Sequence, residues 1–243
     1  MRLKLFFVSD LEVLFEIKPP LSERITHDIN MVFLEVHGVK NRRTHEFPEE
    51  LYRRAMDSLS QTTIEEIKNE PIIRAYRDFY WKVCKIDPTK IRPSAEALAR
   101  RVLRKKPLPN INCIVNSYNI ASIISRISIG AYDYDTLKLP LVVRNAENKE
   151  KFLGIGMSKP VILNEEMLIL ADKYGPINIL PYRDADRTKV NLETKNILFV
   201  GTGVQGISTN DVKKGIILAG KLVTEFCGGE IGKIYEYCWK SKK

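Results

Sequence analysis

At 243 residues, 44% of them apolar and 28% charged, the chain has the composition of a globular protein with one generous core, which excludes the disordered, collagen-like and fibrous classes. Its 39 Lys and Arg against 30 Asp and Glu give a formal net charge of +9, a field that favours a polyanionic partner, nucleic acid foremost. The longest uncharged run, residues 107–125, is broken by Pro109, Asn110, Asn112, Asn116 and Asn119, so no membrane-spanning helix and no membrane partner are expected.

From the start, residues 1–17 carry Asp10 and Glu12 where a secretory signal would need more apolar length, which points to a cytoplasmic protein. Residues 3–8, 11–17 and 31–37 have the β-branched and aromatic content of strands, with Pro19-Pro20 as a breaker. Pro48 opens a helical segment with Leu51, Ala55 and Leu59 on one face. Thr63-x-x-Glu66 has the form of a capping box, and Pro71 suits the first turn of a helix carrying Ile72, Ala75, Tyr76, Phe79, Tyr80 and Val83. A change of period near Asp87 suggests two parts: residues 1–86, strands and helices packing on the core, and residues 87–243, the core itself.

Past Asp87, Pro93 and Ser94 open a helix whose stripe is Ala95, Leu98, Ala99, Val102 and Leu103. Arg92, Arg100, Arg101, Arg104, Lys105 and Lys106 cluster around it. They read either as an RNA-binding surface for phosphates or as a solvated face with cations favourably placed at a helix C-terminus. Apolar runs at 111–115, 141–143, 161–163, 167–170, 197–200 and 231–238 read as strands, and helices are expected at 117–126 and from Asp211 to Gly228-Gly229. Only one strand pair is joined by a helix of crossover length. The expected class is therefore α+β, with stacked antiparallel or mixed sheets covered by helices.

The cysteines, Cys84, Cys113, Cys227 and Cys238, form no Cys-x-x-Cys pair, and the histidines, His27, His37 and His45, have no metal-ligand spacing, so neither a metal nor a disulfide framework is expected. The same crowding of histidines into the first fifth of the chain argues against Ser-His-Asp or Cys-His catalysis. Gly201-Thr-Gly-Val-Gln-Gly206 follows a strand-like run and has the dinucleotide-binding spacing, yet only 37 residues remain after it, too few for the doubly wound sheet that spacing needs. No cofactor is expected; Gly201, Gly203 and Gly206 suggest a loop whose backbone approaches another segment or a ligand.

Taken in order, Asp87-Pro-Thr-Lys-Ile-Arg-Pro-Ser-Ala-Glu-Ala-Leu-Ala-Arg-Arg-Val-Leu103, Leu108-Pro-Asn-Ile-Asn112, Val115-Asn-Ser-Tyr-Asn119, Gly130-Ala-Tyr-Asp133, Leu141-Val-Val-Arg-Asn-Ala-x-x-x-Glu150, Asp184-x-x-x-Thr188 and Thr194-Lys-Asn-Ile-Leu-Phe199 resemble the B3/B4 tRNA-editing domain of the phenylalanyl-tRNA synthetase beta subunit. The resemblance runs over residues 87–229. At this length the chain is expected to be a free-standing relative of that module, unable to charge tRNA itself.

What the resemblance implies is a three-layer β/β/α sandwich and hydrolysis of a wrong amino acid from tRNA, such as tyrosine on phenylalanine tRNA. An activated ester would need little more than a positioned water and the terminal hydroxyl of the tRNA, in keeping with the missing catalytic histidine. The alternatives are a non-catalytic tRNA- or RNA-binding protein and a binder of amino-acid-like small molecules on the same fold. By position in the family pattern, Glu150 would pair with the substrate's ammonium group. Asn112 and Asn116 would offer donors and acceptors to the ligand, or else serve as turn and cap residues. Arg144 would either reach the pocket or pair with an acid. Asp133 would lie near the pocket, or cap a turn, and Gly201, Gly203 and Gly206 would line a loop near the tRNA 3′ end.

Overall fold

The computed structural model describes residues 28–238 together with the backbone of residues 15–17 and 239. The strand-like run 3–8, most of 11–17, Pro19-Pro20 and His27 lie outside the described residues. Among those described, Phe15–Ile17 (β1) pairs parallel with Leu141–Asn145 (β4) at the edge of a five-stranded sheet ordered β1-β4-β7-β8-β9. The rest of that sheet is antiparallel: β7 is Leu168–Asp172, β8 Gly175–Ile179 and β9 Arg183–Asp184. A second, antiparallel sheet of four strands runs β11-β2-β10-β3, with β2 at Ile29–His37, β3 at Ile129–Asp133, β10 at Ile197–Val204 and β11 at Glu230–Trp239. Residues ahead of Asp87 thus supply β1 to one sheet and β2, between β11 and β10, to the other.

Alternation along β2 and β10 explains the layering. Val32, Leu34 and Val36 of β2, with Ile197 and Phe199 of β10, meet the helices, while Ile29, Met31 and Phe33, with Leu198 and Val200, meet the five-stranded sheet. Strands buried on both faces read as unbroken apolar runs, and each fully buried Leu, Val or Phe contributes about 1.5–3 kcal/mol. The helix layer comprises α1 (Glu49–Ser58), α2 (Pro71–Lys82), α3 (Ser94–Leu103), α4 (Cys113–Ser125) and α5 (Thr209–Cys227). A short hairpin, β5 (Lys151–Phe152) and β6 (Val161–Ile162), accompanies a third cluster in which Phe152 and Leu163 cover Ile169, Ala171 and Ile179 on the outer face of the five-stranded sheet. The arrangement is a three-layer β/β/α sandwich. No helix among the described residues is long and apolar enough to cross a membrane.

Local chemistry sets most helix ends as expected. The Thr63 amide and hydroxyl both donate to the Glu66 carboxylate while the Glu66 amide donates to the Thr63 hydroxyl, and Pro71 sits in the first turn of α2. One expected strand is corrected: residues 111–115 lead into α4 instead, because Asn112 in extended backbone accepts the Val115 amide at 2.9 Å and caps the helix. Strands β3 and β8 escape the sequence patterns since Gly130 in one, and Gly175, Pro176 and Asn178 in the other, are residues that strands usually avoid.

The expected glycine loop is also corrected. Gly201 and Gly203 lie within β10, where a Cβ would stand 2.7 Å from Val212 and Ile216 and 2.6 Å from Val212 respectively, so both are needed for α5 to lie directly on the strand. Gly206 alone occupies a turn, at φ +94°.

Candidate ligand cavity

Between the helices and the two sheets lies a cavity of about 140 Å³. It is lined from α3 by Ser94 and Leu98, from α4 by Tyr118, Asn119 and Ser122, from β3 by Gly130 and Tyr132, from β10 by Val200 and Thr202, from β8 by Asn178, from the turn 180–182, and from β9 by Arg183 and Asp184. Its lining mixes aromatic and aliphatic side chains with hydroxyls, amides and a carboxylate. A Cβ at Gly130 would fall 2.7 Å from the Tyr132 hydroxyl and 3.1 Å from Asp184 Oδ1, so only glycine leaves these two lining groups where they stand.

Two charged residues, Arg183 and Asp184, line the cavity, and Arg183 donates to the Ile155 carbonyl at 3.3 Å. Asp184 Oδ1 accepts both the Tyr132 hydroxyl at 2.5 Å and the Asn178 amide at 2.7 Å, leaving Oδ2 without a donor among the described residues. Burial pushes the Asp184 carboxyl above its ordinary range, only partly opposed by those two hydrogen bonds. Burial first and the Asp184 charge second push the phenols of Tyr132 and Tyr118 upward, so both stay neutral. Buried Asn178 has a second peculiarity, a side-chain Oδ1 with no hydrogen-bond partner. Behind this wall, Tyr76 donates to the Thr202 carbonyl and accepts the Ser128 amide, locking α2 onto β10 and the start of β3.

The residues picked out by the family pattern are placed elsewhere. Arg144 and Glu150 form a two-pronged ion pair at 2.8 and 2.6 Å, and Glu150 also accepts the Glu147 amide at 2.8 Å. Burial raises the Glu150 carboxyl, but the Arg144 guanidinium and the Glu147 amide outweigh that and hold it below the usual range. Asn112 caps α4; Asn116 accepts the Ile111 amide and donates to Asn110 and Thr44. Asp133 has both oxygens taken, one by the Asp135 amide and one by the Thr194 hydroxyl. Gly206 borders a separate, open groove of about 300 Å³ beside Ala75, Asp78, Phe79 and Lys82. None of these residues, nor Gly201 or Gly203, lines the cavity.

The basic cluster divides. Arg100 at 2.8 Å, with Arg77 at 2.9 Å from outside the cluster, holds the fully buried carboxylate of Glu96, so the charge of Arg100 is directed inward, while Arg92, 4.0 Å away, stays exposed. Arg101 donates to the Pro107 carbonyl but stays exposed, as do Arg104, Lys105 and Lys106. No group of three or more His, Cys, Asp or Glu that could hold a metal occurs among the described residues.

Sequence reasoning assigned no role to Asp184, Tyr132 or Asn178. The first two stand inside the quoted family elements, and the available signal for the third is an asparagine in the otherwise apolar stretch Pro176–Ile177 and Ile179–Leu180.

The fold defines a class: a three-layer α+β domain of two sheets and a helix layer. Residues 75–228, more than half of the chain, match the model of the B3/4 domain family, and the chain belongs to that family. It is 27% identical over 171 residues to the phenylalanine–tRNA ligase beta subunit of Carboxydothermus hydrogenoformans, across 60% of this chain and 21% of that subunit. A crystal structure of an N-terminal fragment of the phenylalanyl-tRNA synthetase beta subunit from Pyrococcus horikoshii is similar at 18% identity and a TM-score of 0.46, covering 94% of this chain and 53% of the fragment. The chain thus spans about a fifth of the curated relative and about half of the crystallised fragment.

Proposed function

We propose that the protein is an editing-type hydrolase of the cytoplasm, removing a wrongly attached amino acid from tRNA, with tyrosine on phenylalanine tRNA as the first substrate to consider. The observation that carries this reading is the 140 Å³ cavity, walled by residues from both sheets and the helix layer, in a chain of the B3/4 family. Tyr118, Tyr132, Leu98 and Val200 supply apolar surface for a ring, and the neighbouring hydroxyls and amides supply partners for a polar substituent that a purely apolar ligand would lack. Hydrolysis of an aminoacyl ester needs a water held near the carbonyl, a task for the polar lining rather than for a protein nucleophile. The exposed Arg101, Arg104, Lys105 and Lys106 support a role in meeting the tRNA backbone.

The test is deacylation of a panel of mischarged tRNAs by the wild-type protein and by Gly130→Ala, which crowds the Tyr132 hydroxyl and Asp184 in the cavity wall. Turnover by the wild type and its loss by at least about tenfold in the variant is the expected result, since a misplacement near 1 Å suffices for such a loss. A second reading, a non-catalytic RNA-binding module, is favoured by the exposed cations alone; tRNA binding that weakens steeply with salt but is accompanied by no turnover would select it.

A further inference from the structure

We infer that Cys113 and Cys227 are a dithiol that a peroxide converts to a disulfide, fastening the start of α4 to the end of α5. The pair is separate from the cavity and independent of the editing reading. Its geometry starts from residues 40–42, which follow β2 and bind both helix ends. The Lys40 amide donates to the Cys227 carbonyl and the Cys113 amide to the Arg42 carbonyl, both at 2.8 Å, so two residues far apart in sequence are clipped to one short segment. Their thiols meet: Cys227 donates to the Cys113 sulfur, and Cys113 Sγ lies 3.2 Å from the carbonyl of Phe226, the residue before its partner. Sulfurs in hydrogen-bond contact have only to close to about 2 Å to form the bond. The other two cysteines meet other groups, Cys84 the Leu180 carbonyl and Cys238 the Asn30 and Thr209 side chains.

The two sulfurs differ in their surroundings. The exposed Arg42 donates from its guanidinium to the same Phe226 carbonyl at 2.9 Å, which brings a positive charge to the Cys113 side of the pair. Cys113 is also the first residue of α4, where the helix dipole favours a negative charge. The hydrogen bond from Cys227, with the Arg42 charge, outweighs burial and holds the Cys113 thiol below its ordinary range, while the same bond, with burial, pushes the Cys227 thiol up. Cys113 is thus the nucleophile, and Cys227 keeps its proton until Cys113 has reacted. Both side chains are buried, yet Lys40, Arg42, Ile111 and Gly228 around them are exposed, so the oxidant that suits the pair is as small as hydrogen peroxide. The Cys113 thiolate attacks one peroxide oxygen; the O–O bond breaks, hydroxide leaves and takes the proton that Cys113 released, and a sulfenic acid remains. The Cys227 sulfur then displaces that hydroxyl, which departs with the Cys227 proton as a second water. The sulfurs lose two electrons and the peroxide gains them.

The test treats the full, reduced chain with hydrogen peroxide, digests it without reductant and maps the products by mass spectrometry. A cross-link between the peptides of Cys113 and Cys227 that dithiothreitol removes is expected. The oxidised chain is expected to melt about 5–10 °C above the reduced one, because the bond closes nearly half of the chain into one loop. Cys227→Ser leaves Cys113 as a sulfenic acid that dimedone captures, and Cys113→Ser leaves Cys227 oxidised at least about tenfold more slowly than Cys113 is in the wild type. Thermal unfolding of the reduced variants shows whether each is folded, and the cross-link in the wild type needs neither of them. Absence of the 113–227 cross-link, its formation only in denaturant, an oxidised chain that melts no higher than the reduced one, or faster oxidation of Cys227 than of Cys113 in the single variants overturns the inference.

Discussion

Glu150 and Asp184 are two carboxylates on neighbouring segments with opposite surroundings. Glu150 is closed: a guanidinium on both oxygens, a backbone amide besides, and a titration held low. Asp184 differs: two neutral donors on one oxygen, no donor on the other among the described residues, and a titration pushed up by burial. The contrast teaches that a carboxylate at a motif position can be used up by its own fold, while one given no role in the motif keeps one oxygen without a donor among the described residues.

Four measurements break or sharpen this contrast. The largest effect is expected for Glu150→Ala, which strands the Arg144 side chain, 14% exposed, beside a lost partner; urea unfolding should show a loss of about 3 kcal/mol. A loss below about 0.5 kcal/mol would mean that the pair is not closed in solution. Glu150→Gln, which keeps the shape but not the charge, is expected to lose about 1.5 kcal/mol near neutral pH. Because the folded-state titration of Glu150 lies below its unfolded value, the pair's contribution is fully present above the ordinary carboxylate range. It disappears as pH falls through the lower, folded value, so the gap between wild type and Glu150→Gln closes in acid. A gap independent of pH would contradict an ionic pair.

Asp184→Asn should change stability by no more than about 1 kcal/mol, with the opposite pH trend. A folded titration above the unfolded value means that the ionised carboxylate costs stability, so the wild type loses ground to the variant as pH rises through that raised value. Parallel curves for the two proteins would show that Asp184 is solvated rather than desolvated. The smallest effect concerns Asn112→Ala: removal of a cap, worth about 1 kcal/mol or less in unfolding, with ligand binding unchanged, would fit its place at the start of α4 away from the cavity.

Much of the fold was legible in the sequence because its signals are local. The capping box at Thr63 and Glu66, the proline opening α2 and the apolar stripe of α3 each depend on residues a few positions apart. The run 111–115 misled because apolar content alone does not separate a strand from a helix start, and only the cap at Asn112 decides. The cavity was not legible, since Gly130, Asn178 and Asp184 come from three strands of two sheets and no spacing unites them. Glu150 was in the right element for the family pattern, but its fate depended on a turn. Lys149 in left-handed backbone, φ 59°, brings the chain round so that the acid returns to Arg144.

The place of β2 sets an order of events for the chain. This strand is made early, yet its sheet neighbours, Ile197–Val204 on one side and Glu230–Trp239 on the other, are the last two described strands to be synthesised. Closing such distant pairs requires the intervening chain to be gathered first, and proteins dominated by long-range strand pairing fold slowly. During synthesis, β2 therefore presents two unpaired edges of Val, Phe and Leu until the final strands emerge, the condition in which strands pair with the wrong partner. A shortened chain that ends before Glu230 would leave one of those edges open for good, making its aggregation a direct measure of what β11 covers.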